Sequence, residues 1–270
     1  MCGIVGYVGK QQAAPILLEG LSKLEYRGYD SAGIAVLADG KISVSKTRGR
    51  LKNLYDMIDG GNAVSGTLGI GHTRWATHGE PSDVNAHPHL SKSGKFAVVH
   101  NGIIENYIPL KKKLAEKGFE FVSETDTEVV AHLFEYYYKG DLIDAMSQVI
   151  NHVEGSYALG IICDDYPDRF VAVKKASPMI VGLGDGENFI ASDVTAILKY
   201  TKNVYYLEDD EIVMLSKDGV KVYNPFDKEE IKKEMFTVDW DISTAEKGGY
   251  EHFMMKEIED QPKALKDTIS

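Results

Sequence analysis

A cysteine stands directly behind the initiator in Met1-Cys2-Gly3-Ile4-Val5-Gly6. Methionine in front of a small residue is commonly removed. Its loss leaves Cys2 carrying a thiol and a free α-amine on the same carbon. The α-amine has a reference pKa of about 7.7–8.0, so part of it is neutral near pH 7 and can take the thiol proton, directly or through a water. An amine and a nucleophile on one residue need no histidine base. Taken alone, six residues fit a reactive terminus and the plain start of a buried strand equally well.

Four further stretches carry side chains suited to a polar substrate. In Gly71-His72-Thr73-Arg74-Trp75-Ala76-Thr77-His78-Gly79, Arg74 can grip a carboxylate with two parallel hydrogen bonds. The competing reading of an arginine is a surface ion pair. In His100-Asn101-Gly102-Ile103-Ile104-Glu105-Asn106, the Asn101 amide and the Gly102 N–H can form an oxyanion hole. From the dipeptide alone, Asn-Gly is more simply a tight turn. Ser123-Glu124-Thr125-Asp126-Thr127-Glu128 opens a helix, and its acids suit the positive end of the helix dipole. One of them can instead face a ligand ammonium, which with Arg74 would hold a free amino acid by both ends. Glu25-Tyr26-Arg27-Gly28-Tyr29-Asp30-Ser31-Ala32-Gly33 is helix-stop chemistry that can also buttress the amino terminus. Two decoys are set aside. Gly182-Leu183-Gly184-Asp185-Gly186 precedes a strand and not a helix, so it is a hairpin turn. His87-Pro88-His89 lacks a third ligand at useful spacing and is expected in a loop.

Periodicity supplies the elements that must hold these residues. Strands are expected at Gly3–Val8, Ser31–Leu37, Lys41–Lys46, Thr67–Trp75 and Lys95–His100, with Asp39-Gly40 turning a hairpin. Helices are expected at Gln11–Tyr26, Leu51–Ile58, Asn106–Glu116, Thr125–Tyr138 and Leu142–Val153, with Thr125, Asp126 and Thr127 offering cap chemistry. Short strands then follow from Ser156 to Tyr223, interrupted by a helix at Val194–Tyr200. Short turns between strands imply mainly antiparallel sheet, and the grouped helices imply an α+β layer packing. Past Phe226 the chain turns charged, then turn-rich over Trp240–Gly249. A helix over Tyr250–Thr268 is expected to break or restart at Pro262.

The 270 residues carry a net charge of −11, which argues against nonspecific binding to nucleic acid or to an anionic membrane. No apolar run approaches the roughly 18–20 residues of a membrane span. No basic segment leads into an apolar one as in a secretory signal. The two cysteines, Cys2 and Cys163, fit a reducing, cytoplasmic setting better than a disulfide framework, and Cys163 reads as a buried core thiol.

Taken in order, Cys2–Gly6, Glu25–Gly33, Gly71–Gly79, His100–Asn106 and Ser123–Val129 resemble the class II glutamine amidotransferases, a group of N-terminal-nucleophile (Ntn) hydrolases. The wording of the third and fifth stretches is most similar to the glutaminase domains of glutamine–fructose-6-phosphate aminotransferases, also called glucosamine-6-phosphate synthases. The resemblance runs from residue 2 to about 240, so it implies a glutaminase domain over 1–240. The segment 241–270 would be a linker and the start of a sugar-phosphate isomerase half. The implied fold is a four-layer αββα sandwich with two mainly antiparallel sheets. The implied reaction is hydrolysis of L-glutamine to glutamate and ammonia without a cofactor or metal, in a chain that forms a homodimer at full length. By resemblance, Cys2 is the nucleophile, with its own amine as base. Asn101 and Gly102 form the oxyanion hole, Arg74 binds the substrate carboxylate and Asp126 its ammonium. Thr77 and His78 line the pocket, Trp75 gates an ammonia passage and Arg27 supports the site. Three readings stay open beside this one. They are the glutaminase domain of another class II enzyme, an Ntn amidase for a different amide, and a non-catalytic glutamine-binding module if Met1 stays attached.

Overall fold

A computed structural model describes residues 2–239 and 249–269. The fate of Met1 and the turn-rich reading of 240–248 fall outside those residues. The chain divides into two units, Met1–Thr237 and Val238–Ser270.

The first unit opens with β1 (Gly3–Val8) and α1 (Ala13–Leu24), whose residues Leu17, Leu21 and Leu24 are fully buried. A hairpin, β2 (Ser31–Ala38) and β3 (Lys41–Arg48), leads to α2 (Leu51–Met57) and β4 (Leu68–Arg74). Next come β5 (His89–Leu90), β6 (Phe96–Ile104) and three helices: α3 (Tyr107–Glu116), α4 (Thr127–Tyr137) and α5 (Leu142–Ile150). The rest is strand: β7 (Gly155–Cys163), β8 (Arg169–Lys175), β9 (Ile180–Leu183), β10 (Asn188–Ala191), β11 (Asn203–Tyr206), β12 (Ile212–Ser216), β13 (Gly219–Tyr223), β14 (Glu230–Ile231) and β15 (Phe236–Thr237).

These strands form two sheets. One has eight strands in the order β15-β11-β9-β10-β1-β4-β2-β3, and the other seven in the order β14-β13-β12-β8-β7-β6-β5. Every ladder between these strands is antiparallel. Three apolar layers hold the stack together. Leu17, Leu21 and Leu54 of α1 and α2 pack on Val5, Tyr7 and Ile34 of the first sheet. Ile4, Ile70, Val99, Phe170 and Ile190 fill the space between the sheets. Val130, Phe134 and Met146 of α4 and α5 cover the outer face of the second sheet at Phe96, Val98 and Leu159. The result is the expected αββα sandwich. Strands buried on both faces explain why β1, β2 and β4 read as apolar runs and not as alternating patterns.

Several boundaries differ from expectation. β6 does not stop at His100. It runs through Asn101 and Gly102, which pair with Ala158 and Tyr157 of β7, so Asn-Gly is not a turn. α1 ends at Leu24, and Glu25–Arg27 form one 3-10 turn. The Val194–Tyr200 helix shrinks to a 3-10 turn at Val194–Ala196. His89, expected in a loop, opens the edge strand β5 and pairs with Val98. None of the anticipated residues caps α4. The carboxylate of Asp126 accepts instead from the Ile104 N–H at 2.7 Å, and the Thr127 hydroxyl lies 2.9 Å from the His100 ring. In the second unit, α6 (Phe253–Ile269) runs unbroken with Pro262 inside it.

Candidate active site

β1 is a central strand, and its register puts Gly3 opposite Thr73 of β4. Cys2 therefore lies where β4 runs out into the 75–80 loop. The turn after α1 reaches the same place. Gly28 is packed so tightly that an added Cβ would meet the Arg74 carbonyl carbon at 2.9 Å. Asp30 completes the joint: its N–H donates to Arg74 O at 3.0 Å, and its carboxylate accepts from the Ala76 N–H. The second sheet contributes the end of β6, and α4 contributes its first turn. Together they enclose a cavity of about 350 Å³ whose lining includes Cys2, Arg27, Arg74, Trp75, Thr77, His78, Asn101, Gly102 and Asp126. Every residue expected at the site reaches this one space, from five separate stretches of chain.

The Cys2 thiol takes a hydrogen bond from the Trp75 N–H at 3.1 Å. Burial pushes its pKa up, against the lowering effect of that N–H, so the resting group is a neutral thiol. The Asn101 amide donates to Cys2 O at 3.1 Å, and its oxygen faces His72 Nε2 at 2.9 Å. Gly102 has φ +118°, and a Cβ there would lie 2.0 Å from Ser156 O, so only glycine fits.

Arg74 is buried, and no carboxylate among the described residues pairs with it, which removes the surface ion-pair reading. Its guanidinium instead donates to the carbonyls of His78, Gly79 (3.1 Å) and Glu80 (3.5 Å), shaping the loop that walls the cavity. Asp126 is also buried. Its Oδ2 is engaged by Ile104, and its Oδ1 lies 3.8 Å from His78 Nδ1. Thr77 Oγ1 is 3.2 Å from His78 Nδ1, and the His78 ring stands edge-on to Tyr107. Trp75 is half exposed, its ring edge-on to Tyr29 at 5.8 Å. Arg27 pairs with Asp193 at 3.1 Å.

Sequence reasoning missed what lies beneath. Four buried histidines, His72, His87, His89 and His100, back the cavity. His72 stacks on His87 with centroids 4.2 Å apart, and His87 stands against His89 at 4.8 Å. Burial lowers the pKa of all four rings, His72 to about 3 and His87 and His89 well below the ordinary histidine value, while the nearby Asp126 carboxylate partly offsets it at His100, so the layer favours neutral imidazoles. Neutral imidazoles can each give and take one hydrogen bond. His87 accepts the His100 N–H at 3.3 Å, and His89 meets Thr125 at 3.1 Å. The Lys46 ammonium clamps the loop above them through the carbonyls of Val84, Ala86 and Pro88. Histidines scattered from 72 to 100 carry no spacing signal, because they meet only across two sheets.

Residues 72–199 match the glutamine amidotransferase domain family. The whole chain is 62% identical to a glutamine–fructose-6-phosphate aminotransferase (isomerizing) from Caldanaerobacter subterraneus subsp. tengcongensis and 60% identical to one from Clostridium perfringens. It spans 44% of the length of each. Among solved structures it is similar to the glutamine phosphoribosylpyrophosphate amidotransferase of B. subtilis, with TM-score 0.72 and 27% identity over 83% of this chain and 49% of that one. A class II glutamine aminotransferase domain protein from Silicibacter pomeroyi shares the fold at TM-score 0.58 and 14% identity, over 83% of this chain and 99% of that one.

Proposed function

We propose that this chain, whose residues 72–199 match the glutamine amidotransferase domain family and which is homologous to the amino-terminal part of glutamine–fructose-6-phosphate aminotransferases, hydrolyses L-glutamine. The observation that carries the reading is the meeting of Cys2, Asn101, Gly102, Arg74 and Asp126 around one cavity.

Arg74 takes the substrate α-carboxylate and Asp126 its α-ammonium, through the oxygen that Ile104 leaves open. That fixes the side-chain amide over Cys2. With Met1 gone, the Cys2 amine takes the thiol proton and the sulfur attacks the carboxamide carbon. The Trp75 N–H steadies the sulfur as charge develops. The resulting oxyanion is held by the Asn101 amide and the Gly102 N–H. Collapse breaks the C–N bond, the amine returns the proton and ammonia leaves. Water then attacks the γ-glutamyl thioester, giving glutamate and regenerating the thiol. Thr77 and His78 shape the pocket, and Arg27 with Asp193 supports its rim. Losing one oxyanion donor costs on the order of 3 kcal/mol in the barrier, so Asn101→Ala should lower kcat about 100- to 1,000-fold.

In the longer relatives the matched part is followed by more than half of the polypeptide. We propose that residues 1–240 are the glutaminase domain and 241–270 lead into a sugar-phosphate isomerase half. That half would use the ammonia to make glucosamine-6-phosphate from fructose-6-phosphate, with Trp75 at the mouth of the passage. Homodimerisation and a cytoplasmic setting, where a free thiol nucleophile survives, belong to the same reading.

The test is an intact mass and peptide map after incubation with an electrophilic glutamine analogue. Loss of the Met1 mass with one adduct on Cys2 is expected. Retained Met1 without an adduct would leave a glutamine binder. Loss of Met1 without an adduct would sink the pocket assignment.

A further inference from the structure

An oxyanion hole made from an asparagine has a weakness: the side-chain amide can rotate by half a turn. In one orientation Nδ2–H faces the substrate and stabilises an oxyanion. In the other the carbonyl oxygen faces it and repels the same charge. The difference decides whether Asn101 helps or hinders. The Cys2 carbonyl that now accepts Nδ2 favours the productive orientation, but a substrate that displaces this contact removes the preference.

His72 supplies the missing control. Its Nε2 lies 2.9 Å from Asn101 Oδ1 and 2.9 Å from His100 O, both of them acceptors. Two acceptors at one ring nitrogen require that nitrogen to carry the proton. The other nitrogen, Nδ1, is buried with no partner, as the bare nitrogen of that tautomer would be. The ring cannot drift, because it stacks on His87 at 4.2 Å and 16°. It also sits on β4, a central strand of the first sheet, while Asn101 sits on β6 of the second. We infer that His72 is a positioning residue for the oxyanion hole: its Nε2–H, shared between His100 O and Asn101 Oδ1, locks the Asn101 amide with Nδ2–H toward the reacting carbon. The inference rests on the glutaminase reading and adds a role to it.

The neutral state of the ring suits this task. An imidazolium here would place a second charged donor against Arg74 and the substrate. Burial holds the His72 pKa at about 3, so the donor is present and uncharged across the working pH range.

The experiment is a double-mutant cycle on glutamine hydrolysis by the full chain, with kcat and KM measured separately. His72→Ala should lower kcat on the order of 100-fold, about the loss from Asn101→Ala, and move KM by less than about 3-fold. The double variant should be no worse than Asn101→Ala within about 3-fold, because His72 acts only through Asn101. His72→Gln, which restores an N–H donor, should recover most of the loss. A kcat for His72→Ala equal to wild type, or a double variant showing the product of the two single losses, would overturn the inference. If the alanine variant unfolds in a thermal melt, His72→Gln against His72→Met makes the same comparison at similar volume. A tenfold or larger gap in kcat at equal KM supports the role, and equal kcat overturns it. Wild-type protein that fails to hydrolyse glutamine overturns the glutaminase reading and this inference together. An active wild type, an impaired Asn101→Ala and an intact His72→Ala overturn only this one.

Discussion

Arg74 holds the carbonyls of His78, Gly79 and Glu80 with its fork and also lines the cavity, where it is proposed to take the substrate carboxylate. A lysine can offer charge but not this divided, planar set of donors. Arg74→Lys is therefore expected to raise KM for glutamine at least tenfold with kcat changed much less, since it removes binding that ground state and transition state share. Steady-state kinetics check this, and an unchanged KM would remove Arg74 from the carboxylate. Cys2 makes the complementary case. Its buried, neutral thiol needs a base, so kcat/KM should fall as pH drops below the amine pKa, near 8 by its reference value. A profile flat from pH 6 to 9 would exclude the amine.

At the scale of elements, the end of β6 governs the site. Continued pairing with β7 carries Asn101 and Gly102 onto a rigid strand rather than a mobile turn. A positive φ inside that strand at Gly102 departs from regular β geometry, and the carbonyl of Ser156 lies where a side chain would go. Gly102→Ala should displace β6 from β7. Activity should drop at least 100-fold and the melting temperature should fall with it, read by kinetics and thermal denaturation on one sample. A fully active, fully stable alanine variant would show that the strand end has slack. The first turn of α4 behaves alike. Glu128 is buried, which opposes ionisation, yet bonds from His132, the Val122 N–H and Ser123 outweigh burial and hold its carboxyl at about 2. That depressed value stabilises the fold above the ordinary glutamate range, and the contribution is lost as pH falls from about 4.5 toward 2.

For the whole molecule, the sandwich depends on what lies between its sheets. Phe170 is fully buried there with Ile4, Ile190 and Val213. Phe170→Ala should cost about 3–5 kcal/mol of stability, measured by denaturant unfolding. The histidine layer sets a second whole-molecule property. His72, His87, His89 and His100 resist protonation when folded but accept protons near pH 6.5 when unfolded. The unfolded chain then binds more protons, so stability should fall as pH drops below about 6.5, by up to about 1.4 kcal/mol per pH unit for each histidine. Unfolding free energies at pH 7.5 and 5.5 test this. Equal values would mean that the rings are not held neutral.

Periodicity, read from the sequence, was enough for most of the elements, and local chemistry named candidate reactive residues to which the family resemblance gave roles. A cysteine next to the start, an arginine in a loop, an acid before a helix and an Asn-Gly after a strand are signals written within a few residues. Apolar runs of strand length announced antiparallel strands, and their division into two sheets followed only from the family resemblance. The tertiary structure alone decided that Asn-Gly is strand and not turn, because that depends on β7, which lies more than fifty residues later. It alone turned Arg74 from a surface ion pair into a buried clamp. It also gathered four histidines into one neutral layer under the cavity. The reason in each case is physical. Burial and hydrogen-bond partners across two packed sheets set a group's orientation and charge, and neither is encoded at any fixed spacing along the chain.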